Sequence, residues 1–137
     1  MKYKILIVSA NYYSDISNNL IKKAKSFLKK KASVKIINVP GVFEIPVVIS
    51  KNIKKFDGFI ALGCVIKGET PHFDFISQAT TNAIMNLSVE SKKPISNGII
   101  TCLNKKQAIA RSDKFNKSNK GLESSLAVIS VLNNFNE

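Results

Sequence analysis

Residues 58–75 read GFIALGCVIKGETPHFDF. The first nine, Gly58 to Ile66, carry no charge and no amide side chain, the pattern of a strand buried on both faces. A strand of that kind needs helices above and below its sheet. The polar turn KGETP then leads into a second pattern, in which Phe73, Ile76, Thr80, Ala83, Ile84 and Leu87 recur at helical spacing. Residues 70–91 therefore read as one long helix. Strand, turn and helix in that order are the first half of a βαβ unit.

The same alternation extends in both directions. YKILIVSA (3–10) is another continuous apolar run, and SDISNNLIKKAKSFLKKK (14–31) places Ile16, Leu20, Ala24, Phe27 and Leu28 on one helical face, with Ser14 or Asp15 as its cap. SVKIINV (33–39) is a strand closed by Pro40-Gly41, and EIPVVISKNIKK (44–55) reads as a helix with Pro46 tolerated in its first turn. After Pro94 comes a fourth strand, ISNGIITC (95–102), then a short helix near 104–112 and a terminal one near 121–135. No repeat or linker divides the 137 residues, so one domain spanning 1–137 is expected. The expected fold is α/β: a four-stranded parallel sheet with helices on both faces and right-handed crossovers.

Composition narrows the function classes. Hydrophobic residues make up 45% and charged residues 22%, which excludes a disordered chain. The amino-terminal apolar run is too short for a signal-peptide core or a membrane span, and no other segment reaches that length. Cys64 and Cys102 both sit inside apolar runs, as buried thiols of a reducing compartment do, and one histidine with two distant cysteines builds no metal site. Cytoplasm is the expected location. The net charge of +12 comes from 20 lysines and a single arginine, Arg111, scattered over helical faces beside abundant isoleucine and asparagine. That pattern lacks the arginine patch and stacking aromatics of a nucleic-acid surface, so no nucleic-acid partner is expected.

In an open parallel sheet, ligands bind beyond the carboxyl ends of the strands. Four strand ends, after Ala10, Val39, Ile66 and Cys102, are therefore the places to look. After Ile66, Thr70 is placed to cap the next helix with its hydroxyl, Pro71 falls at the first helical position, and the amides of Gly68, Glu69 and Thr70 offer an anion site. His72 follows in the first turn, where the helix dipole disfavours imidazolium and so favours a residue that takes and returns a proton near neutrality. After Val39, the turn VPGVFEIP brings Phe43 and Glu44 together, and Glu44 is suited to accept hydrogen bonds from a polyol or to sit favourably before the next helix. After Ala10, ANYYSD offers a tyrosine to stack on a planar ring. ARSDKFNKSNKG carries Arg111 and Lys120 and reads, on its own, as a basic solvated loop.

Taken together and in order, VPGVFEIP, ALGCVIKGETPHFD, NGIITC followed by QAIAR, and NKG resemble the lumazine synthase family nearly end to end. The resemblance implies a flavodoxin-like three-layer sandwich, assembled as pentamers whose active sites lie between subunits. It also implies the joining of 5-amino-6-(D-ribitylamino)uracil to 3,4-dihydroxy-2-butanone 4-phosphate, a transferase reaction of riboflavin biosynthesis that needs no cofactor or metal. Carried over residue by residue, Tyr12 stacks on the pyrimidine, while Val42, Phe43 and Glu44 line the ribityl pocket. Cys64, Val65 and Ile66 meet the uracil through backbone, and His72 is the acid–base residue. Glu69 and Thr70 hold the phosphate with Arg111 of a neighbouring subunit, and Lys120 lies near the heterocycle. Riboflavin synthase becomes a candidate partner.

Three positions depart from the family pattern. Asn97 stands where many members have phenylalanine, so polar contact replaces a stacking wall. Tyr13 follows Tyr12 where asparagine is frequent, which leaves two tyrosines competing for one role. Arg111 and Lys120 are nine apart, one more than in capsid-forming members, and the usual amino-terminal extension is lacking. These features favour a pentamer over a capsid. The competing readings are a non-catalytic flavin- or phosphate-binding module of the same fold and, well behind it, a basic binder of anionic surfaces.

Overall fold

A computed structural model describes residues 2–113, 115 and 118–136. Four strands, β1 (Tyr3–Ala10), β2 (Ala32–Val39), β3 (Gly58–Ile66) and β4 (Ile95–Cys102), alternate with α1 (Ser14–Leu28), α2 (Ile45–Lys51), α3 (His72–Ser91), α4 (Lys105–Ser112) and α5 (Lys120–Phe135). The sheet order is β2-β1-β3-β4 and every pairing is parallel. Ile5 of β1 stands level with Val34 of β2 and with Gly58 of β3.

Alternation along the strands separates two apolar layers. Ile5, Ile7, Ile60, Leu62 and Ile100 pack with Leu20, Ala24 and Leu28 of α1, Ala108 of α4 and Val128 and Leu132 of α5. Leu6, Val8, Phe59, Ala61 and Ile99 face the other way, against Ile45 and Ile49 of α2 and Ile84 of α3. Each fully buried Ile or Leu side chain contributes about 1.5–3 kcal/mol, so the two faces stabilise the sheet jointly. The result is the three-layer α/β sandwich of the flavodoxin-like kind, with helices on both faces.

Element types agree with the sequence reading, but several helix ends do not. Neither Ser14 nor Asp15 caps α1: Tyr13 is its N-cap and supplies no side-chain bond, and Lys29 ends the helix before the expected lysine run. The anchor is instead Ser17, whose buried hydroxyl donates to the carbonyl of Ala10 at the end of β1. The 44–55 helix is shorter and starts differently, as a 3-10 turn over Val42–Glu44 followed by Ile45–Lys51. Pro71, expected at the first helical position, is the N-cap of α3, and the Thr70 hydroxyl reaches only the amide of His72, at 3.4 Å. On α3 only Thr80 and Ile84 are fully buried; Phe73, Ile76, Ala83 and Leu87 are half-covered, with Ile76 and Leu87 packed against the core layer on that face.

Asn119 does what those residues do not. Fully buried, it accepts from the amides of Gly121 (2.8 Å) and Leu122 (3.2 Å) and donates to the carbonyl of Asp113 (3.2 Å). It caps α5 and holds the end of α4 against it. Of the loop read as basic and solvated, residues 114, 116 and 117 lie outside the described residues.

Candidate active site

The strand order reverses between β1 and β3, the position where such sheets open a crevice at their carboxyl ends. A cleft of about 530 Å³ lies there. Tyr12 and Tyr13 bound it after β1; Gly41, Val42, Phe43 and Glu44 form a wall after β2. Cys64, Val65 and Ile66 make the floor, and Gly68, Thr70, His72, Phe73 and Ile76 close the far side. Nine sequence-derived candidates thus share one cleft: Tyr12, Val42, Phe43, Glu44, Cys64, Val65, Ile66, Thr70 and His72.

The remaining four stand elsewhere. Glu69 is exposed in the turn between β3 and α3 and does not line the cleft. Asn97, Arg111 and Lys120 line a second hollow, of about 500 Å³, along the outer edge of β4. There the side-chain oxygen of Asn97 accepts from the amide of Ile99 at 3.1 Å, occupying one donor of β4, the edge of the sheet among the described residues. Arg111 lies in the last turn of α4, exposed.

The two tyrosines differ in kind. Tyr12 is 74% exposed, whereas Tyr13 is half-buried and packs against the core layer that includes Cys64 and Cys102. Their rings meet edge to face at 4.9 Å. Burial, with Tyr12 next in weight, raises the Tyr13 phenol above its ordinary value. Lys105 lies 5.2 Å from the centre of the Tyr13 ring and pairs with Asp15 at 3.2 Å. The Lys105 hydrogen bond lowers the Asp15 carboxyl, although the pair is exposed and worth little by itself. Its effect is to tie the start of α4, which carries Arg111, to the start of α1.

Cys64 and Cys102 are both buried and free. Burial, with Cys102 beside it, pushes the Cys64 thiol from its ordinary 9.0 up to about 12. A thiol so shifted is not a nucleophile at neutral pH, so Cys64 serves the floor as shape and backbone. Its proton is held more tightly in the folded than in the unfolded chain. The stability it contributes is complete below pH 9 and declines as pH rises towards about 12. Native protein at pH 8 is expected to give no fast reaction with a disulfide reagent, and two thiols after denaturation; one fast native thiol would contradict this burial.

Tyr13, the alternative to Tyr12, and Gly68, one of the three amides of the expected anion site, line the cleft as well; Gly41, Phe73 and Ile76 also line it but were not candidates from sequence. Phe73 and Ile76 looked like core because their spacing matched a buried face, and only the packing of α3 over the turn after β2 brings their ends to the cleft. Among the described residues no group of three His, Cys, Asp or Glu side chains stands together as metal ligands.

The profile described as 6,7-dimethyl-8-ribityllumazine synthase matches residues 2–136. Curated relatives of that name include one from Bartonella tribocorum, 41% identical over 99% of this chain and 94% of its own. Another, from Bartonella bacilliformis, is 42% identical over 97% and 92%. One from Campylobacter curvus is 39% identical over 96% and 88%. Sequence, sheet order and the crevice at β1 and β3 therefore converge: the chain belongs to the 6,7-dimethyl-8-ribityllumazine synthase family.

Proposed function

We propose that this protein condenses 5-amino-6-(D-ribitylamino)uracil with 3,4-dihydroxy-2-butanone 4-phosphate to 6,7-dimethyl-8-ribityllumazine, in the penultimate step of riboflavin biosynthesis. The observation that carries the reading is one cleft in a chain matched along almost its whole length: Glu44 and Phe43 form one wall, His72 and Thr70 the other. The uracil amine attacks the ketone and water leaves, giving an imine. Phosphate is then eliminated, and the ribitylamino nitrogen closes onto the remaining carbonyl with loss of a second water. Each step moves a proton, and His72 is the group at the cleft that takes and returns it. Holding two polar substrates together supplies most of the remaining acceleration.

The roles follow the chemistry of each wall. Tyr12, the exposed ring, covers the pyrimidine, while Tyr13 is fixed beneath it. Val65 and Ile66, with Cys64, present backbone to the uracil, and Val42, Phe43 and Glu44 receive the polyol. Thr70 and Glu69, in the turn before α3, meet the phosphate through their amides. Arg111 of a neighbouring subunit completes that site, with Asn97 and Lys120 approaching the heterocycle from the same neighbour. The location of the three on a separate hollow supports a site shared between copies.

Assembly also has apolar surface to use. Phe75, Met85 and Val89 are 69%, 62% and 68% exposed and follow one outer stripe of α3. We assign the assembly as a homopentamer rather than a capsid, in the cytoplasm, with riboflavin synthase as candidate partner. The free thiols suit that compartment, and no helix among the described residues is long and apolar enough to cross a membrane.

The test is to mix protein with both substrates and follow the fluorescent product. Turnover above the protein-free mixture is expected, and His72→Ala should slow it about 10²-fold without abolishing it. Rates equal to the spontaneous reaction from folded, assembled protein would instead support a binding module.

A further inference from the structure

Gly63 is buried in β3 beneath the turn that follows β2. A Cβ built there would stand 2.9 Å from Cγ1 of Val42 and 3.0 Å from Cβ of Ala10. Carbon atoms rest at about 3.5–4.0 Å, so a methyl of Val42 occupies the space that any other residue at 63 would need. Val42, Phe43 and Glu44 form a single 3-10 turn, closed by the amide of Glu44 donating to the carbonyl of Gly41 at 3.2 Å. A Cβ at Gly41 would likewise meet Oε1 of Glu44 at 3.2 Å. The turn is thus fitted between two bare backbones. Val42 is 5% exposed and Phe43 60%: one residue anchors the turn and the next presents it to the cleft.

We propose that Gly63 is a positioning residue that sets specificity for the polyol arm of the substrate, because its missing side chain fixes how deeply Val42 sits and hence where Phe43 and Glu44 stand. This rests on the assignment of that wall to the polyol. A methyl at 63 cannot be absorbed by the sheet alone, since β3 is laddered to β1 on one side and β4 on the other. The shorter contact, with Val42, is absorbed by the turn, which has open cleft in front of it, and the contact with Ala10 Cβ asks β1 to give by only a few tenths of an ångström. A displacement of about 0.5 Å is enough to disturb a binding wall. The floor backbone and the His72 and Thr70 side lie outside the displaced turn.

Gly63→Ala is therefore expected to raise KM for the aminouracil about 10-fold, with KM for the butanone phosphate within about twofold and kcat within about threefold. Adding Val42→Ala removes Cγ1 and should return the aminouracil KM most of the way to that of Val42→Ala alone. An equal rise in both KM values, a fall in kcat alone, or no relief from the second substitution would overturn the proposal. If Gly63→Ala does not fold, the double variant decides: folding with an aminouracil KM near that of Val42→Ala alone supports the role, and failure to fold or a KM well above that control overturns it. Failure of the wild type to form product would overturn the reaction assignment itself; an active wild type with an indifferent Gly63→Ala overturns only the role of Gly63.

Discussion

Replacing Arg111 by alanine is expected to raise KM for 3,4-dihydroxy-2-butanone 4-phosphate about 10²-fold while leaving the fold and the assembly intact. The side chain is exposed on the last turn of α4 and is not among the residues that line the cleft holding His72. It is also the only arginine among 21 basic residues. A guanidinium meets a phosphate through two parallel N–H donors, which an ammonium cannot do. Arg111→Lys should accordingly recover only part of the loss. Steady-state kinetics with the phosphate substrate varied, together with size-exclusion chromatography, read both effects. An unchanged KM would mark Arg111 as a solvated surface charge.

Gly121→Ala is expected to destabilise the protein by about 3 kcal/mol or more. A Cβ at this position would lie 2.2 Å from the carbonyl oxygen of Leu20 and 3.0 Å from Oδ1 of Asn119. The first obstacle is backbone of α1, so no rotamer change relieves it, and the second is the side chain that caps α5. The two helices must separate where they cross closest. Thermal unfolding at fixed protein concentration should show a Tm lower by about 10 °C. A variant within a degree of wild type would mean that α1 and α5 slide past one another freely.

Gly121 illustrates what could be read in the sequence and what could not. The two central strands were the most legible because both faces are buried, so nearly every residue of YKILIVSA and GFIALGCVI had to be apolar. Helix starts were less so, because a polar residue near a helix end competes with backbone geometry: Ser14 and Thr70 looked like caps, yet Tyr13 and Pro71 hold those positions. The cap that does bond through its side chain at α5, Asn119, lay in a lysine- and asparagine-rich loop that offered no contrast.

The candidate site followed the same division. Residues just past strand ends could be assigned to a ligand-binding edge from topology alone, which brought His72, Glu44 and Tyr12 together before any packing was known. Gly63 could not, because its importance depends on Val42 lying on it across the sheet end. Nor does one chain's sequence say that Arg111 belongs to a different hollow from His72. That separation depends on which face α4 covers.

The proposed sharing of the site between subunits is tested most directly by mixing two damaged subunits. His72→Ala and Arg111→Ala proteins, each impaired, would be dissociated together at equal concentration, reassembled and assayed against each parent treated alone. Random assembly leaves about one interface in four with both side chains intact, so the mixture should recover roughly a quarter of wild-type activity. Activity no higher than the average of the two parents, from subunits shown to have exchanged, would mean that His72 and Arg111 never meet across an interface.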